Sequence, residues 1–314
     1  MKTNIDVNND FNVAAVIVTY NRLEKLKNAI AAYENQLCKP TYIIVVNNAS
    51  NDGTKEFLSI WKEEKNGISK IVINMNDNLG GSGGFYEGQK AAMQLNDVEW
   101  IMVADDDAYP EEDYLLTIKE YLERENTDDI AVICGKVIEN ESFVNTHRTV
   151  KTGFFSPHLY KPILQEEYDS YDAIELDYAS YVGIVINKKK MDIAGCVNPE
   201  LFIYHDDTDH THRLGGLGNI ICLTQISIIH DCGMTKINEN TWKAYYDYRN
   251  RLYVSKKINF KKFLYLIPVY IAKSLLCPLK GRQFGDIIAR LTAVFDGIRG
   301  ILGKHPVYAP GWKP

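Results

Sequence analysis

Residues 12–104 alternate between short apolar runs and longer stretches whose apolar residues recur every three or four positions. The runs are 12-NVAAVIVT-19, 41-TYIIVVNN-48, 70-KIVINM-75 and 99-EWIMVA-104. They are short and rich in β-branched residues, which predicts strands. The segments between them, 22–37, about 54–65 and about 85–95, predict helices. Strands that alternate with helices are joined by right-handed crossovers, so this order predicts an α/β fold with a parallel sheet covered on both faces. In such sheets ligands bind beyond the carboxyl ends of the strands.

Each unusual polar cluster in this part of the chain falls at such an end. After the four strands come 19-TYNR-22, 47-NNASNDGT-54, 76-NDNLGGSGG-84 and 105-DDD-107. One cleft would collect them all. The later chain is mixed, with strand candidates at 130–138, 180–187 and 219–230 and a helix at 188–195. With 46% hydrophobic and 24% charged residues, the 314-residue chain is globular in composition, which excludes disordered and collagen-like classes. Its six cysteines form no C-x-x-C pair, so reduced thiols are expected rather than a zinc knuckle or a disulfide framework. The polar start, MKTNIDVNNDFN, lacks the apolar core of a signal peptide, and a cytoplasmic address is expected.

Asp105, Asp106 and Asp107 admit two readings. They form a capping turn before Pro110, or they hold a cation, because packed carboxylates raise one another's pKa unless neutralised. The strand-end position favours a hard ion, Mg²⁺ or Mn²⁺, shared with substrate phosphates. The loop 80-GGSGG-84 lets backbone N–H groups approach an anion or a sugar, or is simply a flexible turn. It matches neither the dinucleotide fingerprint nor the Walker pattern. In 202-FIYHDDTDHTHRL-214, the Asp206-Asp207 pair is a candidate general base toward an acceptor hydroxyl, against a helix-capping loop. The histidines at 205, 210 and 212 fit no metallohydrolase spacing. His230 closes an apolar strand, and is either a core histidine or the imidazole of a mixed Asp/His metal site.

Charge divides the chain. Residues 243–314 carry 14 Lys+Arg against 3 Asp+Glu, about +11, while residues 1–242 carry 21 against 38, or −17. The division is expected to separate a catalytic domain, 1–242, from a helical C-terminal region, 243–314. The apolar stretch 263–279 is short and interrupted by Pro268, Lys273 and Pro278, so it falls short of a span. Residues Ile287, Leu291, Val294, Phe295, Ile298, Ile301 and Leu302 share one helical face. Two basic amphipathic helices resting on an anionic leaflet are one reading. Packing on the catalytic domain, or a homo-oligomer interface, is the other. Nucleic acid is not an expected partner, because the apolar stripes lack aromatic platforms and recognition motifs.

The motifs AVIVTYNR, VVNNASNDGT, NDNLGGSGGFYEG, WIMVADDDAYP and FIYHDDTDHTHRL, in this order, resemble family 2 glycosyltransferases of the GT-A fold, a Rossmann-like nucleotide-sugar domain with a mixed sheet. The likeness runs from about Val13 to His230, and is strongest to bacterial galactofuranosyltransferases, with rhamnosyltransferases next. It implies that Asp105, Asp107 and His230 hold Mn²⁺ or Mg²⁺. It implies that Asp207 is the catalytic base, with Asp206 beside it. Thr19, Tyr20, Asn21 and Arg22 match the first nucleotide-contacting loop, Asn48 and Asp77 the uridine contacts, and Gly80, Gly81, Gly83 and Gly84 the loop near the donor sugar, with Asp106 inside the aspartate motif. Two positions depart from the pattern: Asn47 stands where many relatives have aspartate, and His205 where a tryptophan is common. The implied activity is inverting transfer from a nucleotide sugar, UDP-galactofuranose or else dTDP-rhamnose, to a lipid-linked or polysaccharide glycan. A basic C-terminal region suits a lipid diphosphate, with Arg249 or Arg251 meeting its phosphates. A sugar-nucleotide binding protein without turnover is the rival class, and Asp207 discriminates between them. Nucleotidyltransferases are the rival enzyme class, but this chain has only Arg22 where they carry a basic phosphate loop.

Overall fold

The structure is a computed structural model that describes residues 11–156, 158–233, 241–277 and 283–314. The first ten residues of the polar start, and Pro278 in the interrupted apolar stretch, lie outside the described residues. The alternating order is observed: β1 (Val13–Thr19), α1 (Leu23–Glu34), β2 (Tyr42–Asn47), α2 (Thr54–Trp61), β3 (Ser69–Asn74), α3 (Gly80–Met93) and β4 (Trp100–Asp105). There follow β5 (Ala108–Pro110), α4 (Tyr114–Leu122), the long β6 (Ile130–Glu139), β7 (Ser142–Phe143), β8 (Arg148–Lys151), β9 (Tyr160–Pro162), α5 (Gln165–Ser170), β10 (Ala173–Leu176) and β11 (Tyr178–Ala179). Next come β12 (Ile184–Asn187), α6 (Lys188–Ala194), α7 (Asp206–Gly215) and β13 (Asn219–His230). Among the described residues, three α-helices follow: α8 (Thr241–Ile258), α9 (Phe260–Leu275) and α10 (Phe284–Arg299).

The main sheet runs β10-β13-β6-β12-β4-β1-β2-β3. Strands β1 to β4 are mutually parallel, β12 runs antiparallel between β4 and β6, and β6 and β13 are parallel to each other. This is the α/β, mixed-sheet architecture expected of a GT-A fold. Every residue of β1 is buried. Ala15 and Ile17 join a core with Leu26, Ile30, Leu58 and Leu115 from α1, α2 and α4, whereas Ala14, Val16 and Val18 join Phe85, Met191 and Leu214 from α3, α6 and α7. Successive strand side chains point to opposite faces, so a strand apolar at every position belongs between two helical layers. Burying each Val or Ile there contributes about 1.5–3 kcal/mol.

Two boundaries move from the expected ones. The segment expected as a strand from 180 enters the sheet only at Ile184; residues 180–183 are buried but irregular. The helix expected from 85 begins at Gly80, so the glycine run is its first turn rather than a loop before it. Helices α8, α9 and α10 share a third core, in which Tyr245, Tyr246, Leu252, Phe263, Leu266, Tyr270 and Val294 pack with Phe202, from the segment before α7. On α10 the buried row is Asp286, Ala289, Ala293, Val294, Asp296 and Gly297. Small side chains let the helix close onto α8: a Cβ on Gly297 would lie 2.5 Å from the Arg249 carbonyl oxygen. Of the apolar face expected on this helix only Val294 is buried, and Phe295 is 53% exposed. Phe284 and Ile288 of α10, with Phe260, Leu264, Ile271 and Leu275 of α9, are exposed as well. No helix among the described residues is long and apolar enough to cross a membrane.

Candidate active site

The carboxyl ends of β1, β4 and β13 meet at the aspartate trio. The Thr19 hydroxyl donates to Asp106 Oδ2 at 2.7 Å. Arg22 Nη1 donates to Asp106 Oδ1 at 3.2 Å and to Asp107 Oδ2 at 2.6 Å. Burial, then the negative charges of Asp107 and Asp106, hold the Asp105 carboxyl well above its usual range. Burial likewise pushes Asp106 up to about 6, against the pull of Thr19 and Arg22. One guanidinium leaves this cluster short of positive charge. Asp107 Oδ1 is buried without a hydrogen-bond partner and lies 3.6 Å from His230 Nε2. An orphaned carboxylate oxygen facing an imidazole, among carboxyls that resist ionisation, fits a divalent cation.

His230 is aimed by residues on which the sequence was silent. Its Nδ1 lies 2.7 Å from Glu139 Oε1, and the same oxygen takes His147 Nε2 at 2.8 Å. Burial alone would raise Glu139, but hydrogen bonds from His147 and His230 outweigh it and hold the group below its usual value. An ionised carboxylate only accepts, so Nδ1 of His230 carries a proton and Nε2 is the nitrogen turned toward Asp107. His147 Nδ1 is in turn 2.8 Å from the Ser180 hydroxyl. Buried Arg148 fixes this wall by donating to the carbonyls of Gly135, Ser180 and Val182. Glu139, His147 and Arg148 fall in 139-ENESFVNTHR-148, whose composition gives no sign of the cleft.

The opposite wall is the loop 202–205 leading into α7. Phe202, Tyr204 and His205 all have positive φ, 67°, 67° and 62°. For non-glycine residues each such conformation costs about 1–3 kcal/mol and persists only where neighbours over-determine it. Here Asn250 Nδ2 donates to the carbonyls of Leu201, Ile203 and Tyr204, each at 2.9 Å. The Ser82 N–H at the start of α3 donates to the Phe202 carbonyl at 3.2 Å. Gly80, at φ +75°, makes that approach feasible, since a Cβ there would lie 1.9 Å from the Phe202 carbonyl oxygen. The product is the first turn of α7, in which Asp206, Thr208 and Asp209 are buried and Asp207 is half-buried. The Asp207 carboxylate accepts from Tyr178 Oη at 2.7 Å and from the Thr208 N–H at 2.6 Å. Asp206 is buried; burial first, then Asp207, pushes it up to about 7. The second acidic cluster is therefore the start of a helix and not a capping loop. His210 is a satisfied core histidine, bonded to Tyr181 and to the Gly195 carbonyl.

The two walls enclose a cleft of about 1000 Å³ that collects Thr19, Tyr20, Arg22, Asn48, Gly80, Gly81, Asp105, Asp106, Asp107, Asp206, Asp207 and His230. Four expected site residues lie outside its lining. Asn21 ties its loop to 50–51 through Ser50 and Asn51, and Asp77 is exposed. Gly83 and Gly84 sit against Leu79 and Val18 and serve helix packing. Asn48 binds the Gly80 carbonyl and the Leu79 N–H, so it also braces the glycine turn. Asn47 bonds Asn74 and the Ser50 N–H. His205 pairs with Asp247 at 2.9 Å, and Arg251 meets the same oxygen at 2.8 Å. Lys243, Asp247 and Arg251 bring α8 into the cleft. Arg249 does not reach it: its guanidinium is buried and donates to the carbonyls of Leu201 and Gly303. That corrects the expectation that Arg249 meets phosphates, and leaves Arg251.

The family described as Glycosyl transferase family 2 matches residues 14–189, more than half of the chain, and the protein belongs to that family. It is 26% identical over 267 residues to the galactofuranosyltransferase GlfT1 of Mycolicibacterium smegmatis, covering 80% of this chain and 85% of that one. It is 24% identical over 310 residues to the dTDP-rhamnosyl transferase RfbF of Shigella flexneri, covering 93% and 97%. Among solved structures it resembles S. aureus TarS 1-349 in complex with UDP, with a TM-score of 0.59 at 14% identity over 92% of this chain and 81% of that one. It also resembles GalNAc-T7 with UDP, GalNAc and Mn²⁺, with a TM-score of 0.61 at 13% identity over 78% and 48%.

Proposed function

We propose that this family 2 glycosyltransferase moves galactofuranose from UDP-galactofuranose, with inversion, onto a lipid-linked or polysaccharide glycan. The observation that carries the reading is one cleft holding a cation-hungry carboxylate trio on one wall and a tethered, partly exposed carboxylate, Asp207, on the other. Asp105, Asp107 and His230 are the residues that would hold Mn²⁺ or Mg²⁺, with Glu139 setting the histidine tautomer. The chemistry such an ion supplies when bound is neutralisation of the departing diphosphate. Asp207 takes the proton of the acceptor hydroxyl as its oxygen bonds to the anomeric carbon and the bond from that carbon to the phosphate oxygen breaks. Tyr178 and the Thr208 N–H fix the orientation of that carboxylate. Asp206, raised to about 7, is available protonated near neutrality as a hydrogen-bond donor to a sugar hydroxyl. The two carboxyls thus divide donor and acceptor roles. Arg251 and Lys243 supply positive charge where a phosphate-bearing substrate would enter.

A second donor, dTDP-rhamnose, is favoured by one observation: the rhamnosyl relative aligns over 93% of this chain, against 80% for the galactofuranosyl relative. The exposed apolar rows of α9 and α10 beside a basic surface support a peripheral site on the inner face of the cell membrane. The test is nucleoside diphosphate release with Mn²⁺ from UDP-galactofuranose, UDP-galactose, UDP-glucose and dTDP-rhamnose, comparing wild type with Asp207→Asn. Release from one donor, falling about 10²–10⁴-fold in the variant, is expected. Equal release from both proteins would overturn the assignment of the base.

A further inference from the structure

His230 offers its two nitrogens to two different sets of ligands. Nε2 faces Asp107 Oδ1 at 3.6 Å, beside carboxylates suited to Mg²⁺ or Mn²⁺. Nδ1 faces the other way, 2.7 Å from Glu139 Oε1, the oxygen that also takes His147 Nε2 at 2.8 Å. The two imidazole rings stand edge to face with centroids 5.3 Å apart. Two residues beyond His230, Cys232 joins the group: donor atoms of Glu139, His230 and Cys232 all lie within 4.8 Å of one another. The thiol is partly exposed, and both Cys232 and His147 line the cleft, so an ion has a path to them. Thiolate, imidazole and carboxylate donors at such separations supply an N/O/S ligand set, which selects zinc-class ions over Mg²⁺ and Mn²⁺.

We propose that Glu139, His147, His230 and Cys232 form a second metal site, selective for Zn²⁺ and similar borderline ions, that shares His230 with the donor-site cation and excludes it. Binding moves the imidazole proton of His230 from Nδ1 to Nε2 and that of His147 from Nε2 to Nδ1, and it releases the proton of the Cys232 thiol. The one proton left on His230 then sits on Nε2, against Asp107, where it withdraws that nitrogen from the donor site. Zinc therefore acts as an inhibitor through the ligand that catalysis needs. The coordination stands on geometry alone; the exclusion rests on the donor-cation reading above.

The test uses the full chain and Co²⁺ as a coloured substitute for zinc. Wild type is expected to take up one equivalent with a sulfur-to-cobalt charge-transfer band in the near ultraviolet, bleached by Zn²⁺. Cys232→Ser is expected to lack the band and to bind Zn²⁺ at least about tenfold more weakly, with unchanged circular dichroism and melting when metal-free. Absence of the band in wild type, or an undiminished band in Cys232→Ser, would overturn the site. Mn²⁺ binding, followed by electron paramagnetic resonance, is expected to weaken at least about tenfold under saturating Zn²⁺ in wild type only. Mn²⁺ binding untouched by Zn²⁺ would overturn the shared histidine while leaving the donor-site reading intact.

Discussion

Replacing Gly80 and Gly81 one at a time separates two uses of the glycine turn. A Cβ on Gly80 would sit 1.9 Å from the Phe202 carbonyl oxygen and 2.7 Å from its carbon, with φ at +75°. The left-handed backbone alone costs an alanine about 1–2 kcal/mol. Relieving contacts that short means moving backbone, and overpacking of this kind adds about 1–3 kcal/mol. Gly80→Ala is therefore expected to lose about 2–5 kcal/mol, a large part of the roughly 5–15 kcal/mol that holds such a domain together. The atoms that must move carry Asp206 and Asp207, so the loss extends to turnover, by about a hundredfold for a shift near 1 Å. Gly81 is the control, because a Cβ there meets nothing within 4 Å. Its alanine variant is expected to be as stable as wild type or more so, by up to about 1 kcal/mol from helix propensity. Urea unfolding with linear extrapolation gives the stabilities, and donor turnover gives the activities. A Gly80→Ala protein as stable as wild type would refute the packing explanation. If Gly81→Ala alone raised the donor KM, the open space at Gly81 would belong to the donor.

Glu139→Gln cannot fix the His230 tautomer as a carboxylate does, and the Mn²⁺ concentration needed for half-maximal turnover is expected to rise about 10–100-fold; a direct Mn²⁺ titration that gives the wild-type affinity would remove Glu139 from that role. Asp105, Asp106 and Asp206 all have folded pKa values above the ordinary carboxylate range, the last two near 6 and 7. The folded state thus binds more protons than the unfolded one, and these groups' stabilising contribution is full below about pH 4 and lost as pH rises through 6 and 7. Melting of the metal-free protein is expected to fall across that window relative to Asp206→Asn, and parallel curves would contradict the assignment. Phe284→Asp with Phe295→Asp is expected to abolish co-sedimentation with anionic vesicles without a change in melting, because both side chains are exposed; retained binding would place the membrane contact elsewhere.

Much of this molecule was legible in one dimension because its signals are local. A strand apolar at every position, such as β1, states that both its faces are covered before any partner is known. The order of strands and helices places 19–22, 47–54, 76–84 and 105–107 at one edge of the sheet, and Asp105–Asp107, Asp206-Asp207 and His230 do meet in one cleft. The tertiary structure alone decided which polar residues line the cleft and which brace the frame. Asn250 and Arg249 read as charged or amide side chains of a basic helix, yet both are spent on the strained carbonyls of 201–204. The glycines, read as a cradle for a ligand, prove to answer mainly to Phe202, Leu79 and Val18. Glu139, His147 and Cys232 gather around His230 from segments 91, 83 and 2 residues away from it, which no local pattern records. Periodicity reports the surroundings of a backbone segment, because burial repeats with the geometry of that segment. Which side chains converge at a point is set by the register of distant strands and the closure of loops between them, and those exist only in the folded chain.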